Sequence, residues 1–260
     1  MNFMRIITQG TNHAFFNMAL DEAISEAVRQ KLSPPTLRLY QWDRPSLSIG
    51  YFQKVSDIDI SYCDKKGYPV VRRQTGGRAI LHDSELTYSI STSGSSLFNG
   101  SLLENYTVIS NAIISGLKLN GIDAKISFKK KRNTGDKNPA CFKAVSYGEV
   151  TVEGRKIVGS AQKRHKNGFL QHGSILLGFN ARELCNALGS SDTENFKDIG
   201  AIKDYAPEIS FNDLGHSLKE SFEKTLKIKM IPDNPTEFEQ NLAKELELRK
   251  YSTKEWNFRR

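Results

Sequence analysis

The sequence predicts an α+β fold, a mixed β-sheet core with flanking helices. Three observations predict it. Short β-patterned segments such as TLRLYQW and LTYSIS recur along the chain, rich in β-branched and aromatic residues. Between them run apolar stripes at three-to-four spacing, the mark of amphipathic helices. The two kinds of segment are interspersed without a strict strand–helix–strand rhythm, which argues against an all-parallel sheet. No internal repeat, low-complexity tract or clear linker divides the 260 residues. Residues 1–208 are therefore expected to form one domain. Residues 209–260 are expected to be a helical extension packed on it.

Asn12 is the expected cap of a first helix, with Phe16, Leu20, Ala23, Ile24 and Ala27 on one stripe. Pro34-Pro35 ends that unit. TLRLYQW and LSIGYFQ read as strands around a turn at Asp43-Arg44-Pro45. A short helix is expected near Ile58 to Lys66, stopped by Gly67. YPVVRR, RAILH and LTYSIS follow as strands, with a turn at Thr75-Gly76-Gly77. Ser101-Leu-Leu-Glu104 is a capping box. It opens a helix with Leu102, Tyr106, Ile109, Ile113 and Leu117 on one stripe, closed by Gly121. DAKISF is a strand, and FKKKRNTGDKNPA is polar enough to be an exposed loop. GFLQHGSILL reads as a buried strand. Residues 180–208 carry no clear period. Leu214, Leu218, Phe222 and Leu226 mark one C-terminal helix, and Phe238, Leu242 and Leu246 another.

Composition narrows the function. Charged residues are 25% and hydrophobic residues 38%, which fits a soluble globular chain rather than a disordered one. No apolar run is long enough to span a bilayer, so no membrane partner is expected. The start, MNFMRIITQG, lacks the pattern of a signal peptide. Cys63, Cys141 and Cys185 are too few and too scattered for a disulfide framework. A cytoplasmic location is expected, where a thiol stays reduced. Without Cys-x-x-Cys or His-x-x-x-His pairs, a structural zinc site is not expected. The net charge of +8 favours acidic partners. No nucleic-acid motif accompanies it, so acidic proteins are preferred to nucleic acid.

The most informative stretch runs from Cys141 to Leu177. Glu153-Gly154 can turn a tight hairpin between GEVTV and RKIVGSA. A two-residue loop pairs Val152 with Arg155, Thr151 with Lys156 and Val150 with Ile157. Alternation then puts Lys156, Val158 and Ser160 on one side, with Val150 and Ile157 on the other. A poorly solvated amine there seeks an anion, and a cysteine thiolate is one. A lone cysteine is commonly a small buried hydrophobe. Cys141, however, follows a basic loop and Asn138-Pro139, where burial is not expected and cations favour the thiolate. Cys141 and Lys156 are thus candidates for acyl transfer.

Two further constellations have competing readings. Arg72-Arg73-Gln74-Thr75-Gly76-Gly77-Arg78, followed by His82, brings paired glycines and arginines to a turn. Such backbone can approach an anion closely. It can equally be an ordinary hairpin with arginines in solvent. His172, beside Gly173 and Ser174, is either a core histidine or a catalyst.

RRQTGGRAILHDSELTYS and EGRKIVGSAQKRHKNGFLQHGSILL, in that order, resemble the biotin/lipoate protein ligase superfamily. The similarity extends from FNMALDEA to the closing EWNFRR, and is greatest to its cysteine-dependent octanoyltransferases, the LipM type. The resemblance implies a catalytic domain over 1–208 of that superfamily's fold. It implies that Cys141 is the acyl-thioester nucleophile and that Lys156 lowers its pKa. It places Arg72, Gly76, Gly77, Arg78 and His82 in the substrate-binding segment, with Gly159-Ser160-Ala161 and His172-Gly173-Ser174. The implied donor is octanoyl-acyl carrier protein. The implied acceptor is a lipoyl-domain protein, such as the glycine cleavage H protein or a 2-oxoacid dehydrogenase E2. Such carriers are typically acidic, which gives Lys129-Lys130-Lys131-Arg132 a use. No cofactor is needed, because thioester exchange and amide formation run without ATP, and a monomer is expected. Two alternatives share the motifs: an ATP-dependent lipoate ligase, and an amidotransferase between lipoyl-domain proteins.

Overall fold

The computed structural model describes residues 3–94, 97–98, 100–127 and 149–260. Its centre is a six-stranded mixed sheet in the order β10-β11-β6-β2-β1-β12. These strands are β1 (Phe3–Asn12), β2 (Thr36–Trp42), β6 (Glu85–Thr92), β10 (Val158–His165), β11 (Gly168–Leu176) and β12 (Lys229–Pro232). β1 pairs in parallel with β2 and β12, and the remaining pairs are antiparallel. The mixed sheet matches the sequence expectation.

The alternation of β2 divides the core. Leu37 and Leu39 face the helices α3 (Leu102–Leu119) and α5 (Phe211–Leu226), packing with Ile109, Ile113, Leu218 and Phe222. Tyr40 and Trp42 face α1 (Ala14–Arg29) and α6 (Glu237–Leu246), packing with Met18, Leu20, Ile24 and Ala243. Burying both faces in this way supplies most of the drive to fold. Ser101 and Glu104 form the expected capping box on α3. The cap of α1 differs from expectation. Asn12 ends β1, and the His13 ring accepts from the Phe16 amide instead. β1 itself, FMRIITQGTN, is a strand that the sequence does not mark out.

A second sheet, β4-β3-β5, packs beside the first with α2 (Ile60–Lys66) and α4 (Ala181–Ala187). It comprises β3 (Ser46–Ile49), β4 (Val70–Arg72) and β5 (Ile80–His82). β2 and β3 lie in different sheets, although one short turn joins them. β4 and β5 do not pair with each other but flank β3, so residues 73–79 bridge over its end. That geometry replaces the ordinary hairpin with arginines in solvent.

The third sheet holds β7 (Lys125–Ser127), β8 (Glu149–Val152) and β9 (Arg155–Lys156). Here the predicted register is seen: Thr151 pairs with Lys156, and Val152 with Arg155. The Ile157 amide donates to Val150 O at 3.1 Å. Glu153 and Gly154 both take positive φ, 50° and 80°. That is the mirror-image turn that suits a right-twisted hairpin. The predicted faces do not hold, because the strand breaks at Ile157. Ile157 and Val158 are both buried in the same core as Val150. The C-terminal segment is more than helical, since β12 extends the main sheet beyond β1. A short helix α7 (Lys254–Asn257) ends the chain against β4.

Candidate functional site

The site is laid out by strand register. Ala161 pairs with His172, His172 with Ser89, and Ser89 with Arg38, giving one row across β10, β11, β6 and β2. Two residues along, Gly159, Ser174, Thr87 and Tyr40 make a second row on the same face. The predicted Gly159-Ser160-Ala161 and His172-Gly173-Ser174 motifs are thus direct cross-strand partners. The face that they share carries a cavity roofed by the second sheet. Met18, Tyr40, Trp42 and Thr87 line it from one side, and Ser48, Arg73, Ile80 and His82 from the other. Gly159, Ser160, Ala161, His172, Gly173 and Ser174 complete the wall. The empty space between these side chains is about 340 Å³, a narrow slot between the two sheets. Gly173 must be glycine there, because a Cβ would lie 2.6 Å from Gly159 O and from Ser160 Oγ.

Two buried polar networks brace the slot. In the first, Asp21 accepts from Arg38 Nη1 (2.8 Å), Tyr40 Oη (2.8 Å), Ser89 Oγ (2.7 Å) and His172 Nδ1 (3.3 Å). His172 Nε2 lies 2.6 Å from Thr75 Oγ1. Burial alone would raise the Asp21 pKa, but Arg38, His172 and Ser89 together hold it below the usual carboxylate range. Burial holds the His172 ring below its ordinary value despite Asp21. We therefore assign a neutral ring that donates from Nδ1 to Asp21 and accepts the Thr75 hydroxyl at Nε2.

In the second network, Glu85 Oε1 accepts from His82 Nδ1 and Ser174 Oγ, both at 2.8 Å, and from Thr87 Oγ1. His82 Nε2 is 2.7 Å from Ser48 Oγ. The His82 ring stacks on Trp42 at 3.9 Å, and Trp42 Nε1 donates to Thr87 Oγ1 at 2.8 Å. Burial would push the Glu85 pKa up, but His82, Thr87 and Ser174 bring it below the usual range.

The glycine turn is held rigidly. Arg73 donates to Gly76 O (2.9 Å) and Arg78 O (2.7 Å). Gly50 abuts the turn, where a Cβ would come 1.9 Å from Gly77 O. Gly76, Gly77 and Arg78 thus form a wall beside the slot, outside its lining. Arg72 departs further from expectation. It is fully buried and turned away, donating from Nη1 to Gly50 O and Gln53 O and from Nε to Asn257 O. Its neighbour Arg73 takes the place in the slot. Consecutive strand residues point opposite ways, so only one of the pair can face the ligand.

Lys156 is buried, and its Nζ donates to Glu149 Oε1 at 2.5 Å. The anion that it meets among the described residues is therefore a carboxylate four positions before the hairpin turn. Cys141 and the Lys129–Arg132 run lie outside the described residues. Cys63 and Cys185 are buried, and burial pushes the Cys63 thiol up to about 11, so it stays an unreactive thiol.

Sequence reasoning missed Asp21, Ser48 and Glu85, and chose Arg72 rather than its neighbour Arg73 for the substrate-binding segment. One signal was available. Arg38 sits in a strand of core residues, and a buried guanidinium requires a carboxylate.

The sequence pattern of the Lipoyl protein ligase A/B catalytic domain matches residues 13–223. Octanoyltransferase LipM of Halalkalibacterium halodurans is 39% identical over 278 residues, covering 100% of both chains. The protein of the same name from Carboxydothermus hydrogenoformans is 40% identical over 254 residues, 94% of each. Among solved structures, a putative lipoate protein ligase from T. acidophilum with bound lipoic acid superposes with a TM-score of 0.84. It is 27% identical, covering 100% of each chain. Lipoate-protein ligase A bound with ATP gives 0.84 at 26% identity over 99% of each chain.

The full-length relatives define an acyltransferase, and its fold is the lipoate-ligase architecture. The chain belongs to the lipoyl protein ligase A/B catalytic-domain family.

Proposed function

We propose that this enzyme moves octanoyl from acyl carrier protein to a lysine of a lipoyl domain through a thioester on Cys141. Octanoyl transfer in lipoate biosynthesis is carried by one observation, the full-length similarity of 39–40% to octanoyltransferases. The narrow slot supports it, since an unbranched eight-carbon chain fits a tube better than a chamber. In the first half-reaction the Cys141 thiolate attacks the octanoyl carbonyl. The C–S bond to the carrier breaks, and the carrier leaves as its thiolate. In the second, the neutral acceptor amine attacks the Cys141 thioester. The new C–N bond forms as the acyl C–S bond to Cys141 breaks, and the amine's proton goes to the leaving sulfur, restoring the thiol. Lys156 then favours loss of that proton, because a neighbouring ammonium stabilises a thiolate. Both steps are exchange or downhill, so neither needs ATP.

Intact mass spectrometry tests the route. Octanoyl-acyl carrier protein alone should add one octanoyl mass, and hydroxylamine should remove it. Cys141→Ala should accept none. The likeness to a ligase solved with ATP favours one other reading, an ATP-dependent ligase. Full activity of Cys141→Ala with octanoate plus ATP would establish that reading. Labelling by an octanoylated lipoyl domain, but not by acyl carrier protein, would make the enzyme an amidotransferase.

A further inference from the structure

Beside the slot, the glycine turn, the segment 50–54 and the C-terminal helix α7 are tied into one unit. The Tyr51 amide donates to Thr75 O at 2.9 Å, and Trp256 Nε1 donates to Arg72 O at 2.8 Å. Arg259 sits in the corner between two aromatic rings, 3.9 Å from the Tyr51 ring centre and 4.1 Å from that of Trp256. Arg260 lies 5.3 Å from the ring centre of Phe52, a phenylalanine that is 67% exposed. Lys54 is exposed beside it.

The charge of this unit is not discharged internally. The Arg72 guanidinium is pushed down to about 10, first by burial and then by Arg259, Arg260 and Arg73, all of its own sign. Arg259 also holds the Tyr51 phenol below its usual range, first by hydrogen bonding and then by its charge. Arg72 Nη2, Gln74 Nε2 and Arg259 Nε are buried donors without a hydrogen-bond partner among the described residues. Clustered like charges and unmet donors raise the local positive potential, and cations flanking an exposed aromatic ring are the composition of a binding surface.

We propose that Phe52, Lys54, Arg259 and Arg260 form the docking surface for the acyl donor, an acidic carrier protein whose thiol arm is joined through a phosphodiester. This rests on the octanoyltransferase reading above. The donor is favoured over the acceptor domain because it presents a phosphodiester as well as carboxylates. Guanidinium and ammonium groups donate charge-assisted hydrogen bonds to such an oxyanion, and Arg260 and Lys54 are exposed to do so. Continuity with the glycine turn leads the arm from this surface toward the slot.

The test is steady-state kinetics of the full chain carrying Lys54→Glu and Arg260→Glu, with Arg259→Gln as a separate variant. The KM for octanoyl-acyl carrier protein should rise about tenfold and lose its salt dependence. Transfer from octanoyl-pantetheine, a thioester with neither protein nor phosphate, should stay within about twofold, as should the KM for the lipoyl-domain acceptor. An unchanged donor KM overturns the proposal, as does a rise confined to the acceptor. Equal loss with octanoyl-pantetheine also overturns it, since the slot itself would then be damaged. A wild-type enzyme that ignores both thioesters but uses octanoate plus ATP would instead refute the octanoyltransferase reading, and this docking role with it.

Discussion

The Thr75 hydroxyl lies 2.6 Å from His172 Nε2, and this contact fastens the glycine turn to the central sheet. Behind it stands Asp21, whose carboxylate orients the ring. Thr75→Val keeps the shape and removes the donor, leaving a buried ring nitrogen unmet at a cost of about 1–3 kcal/mol. The expected result is a lower Tm, and a KM for the acyl donor that rises more than kcat falls. Thr75→Ser should restore both. A Thr75→Val enzyme with wild-type Tm and KM would show that the contact does not hold the turn.

Gly50→Ala attacks the same turn from the other side. The new methyl would lie 1.9 Å from Gly77 O, a backbone atom that no rotamer change can move. Overpacking of this kind costs about 1–3 kcal/mol or more. A thermal melt should show the loss, and acyl transfer should fall further than stability alone explains, because Gly77 borders the slot wall.

Acid should destabilise the enzyme in two stages. Burial holds His172 below the ordinary 6.5, and pushes His165 down to about 4. The unfolded chain therefore binds protons that the folded chain refuses, and stability falls as pH drops through about 6.5. Asp21 and Glu85 titrate below their usual range in the fold. Their contribution is present above the unfolded value of about 4 and is lost as pH falls below it. Calorimetry from pH 8 to 2 should give a plateau, a first decline below pH 7 and a steeper second one below about pH 4. A Tm that rises between pH 7 and 5 would contradict the histidine assignments.

Lys156 and Glu149 can be separated by the thiol that they are proposed to serve. Lys156→Met alone breaks a buried ion pair from one side, which costs about 3–5 kcal/mol. The double variant Lys156→Met, Glu149→Gln keeps the site neutral and should fold. In that variant the Cys141 pKa, read from alkylation rate against pH, should rise. Glu149→Gln alone should lower it, because a competing anion is gone. No change in either variant would mean that Lys156 does not act on Cys141.

The sequence made some elements legible and hid others for physical reasons. TLRLYQW has the same bounds in the structure, because a central strand is dense in β-branched and aromatic side chains. The hairpin at Glu153-Gly154 was legible because two residues with positive φ fix a register. β12 was not, since KMIP is four residues ending in proline and owes its pairing to β1. Arg72 and Arg73 could not be told apart, as their roles depend on how one strand end is rotated. The carboxylates of the site were hidden because Asp21 in LDEA and Glu85 in HDSE read as surface charge. Only the packing of α1 and β5 against the sheet reveals that both are buried.

The pairing of β1 with β12 bears on how the enzyme is made. Arg5 meets Glu239 across 234 residues of sequence, and β1 meets β12 over nearly the same span. A ribosome delivers β1 long before β12, since Phe3 pairs with Lys229. Until β12 is made the nascent sheet keeps one edge of β1 bare, which is a template for wrong pairing. Chaperones that shield a bare strand edge should therefore associate with this chain until β12 has emerged.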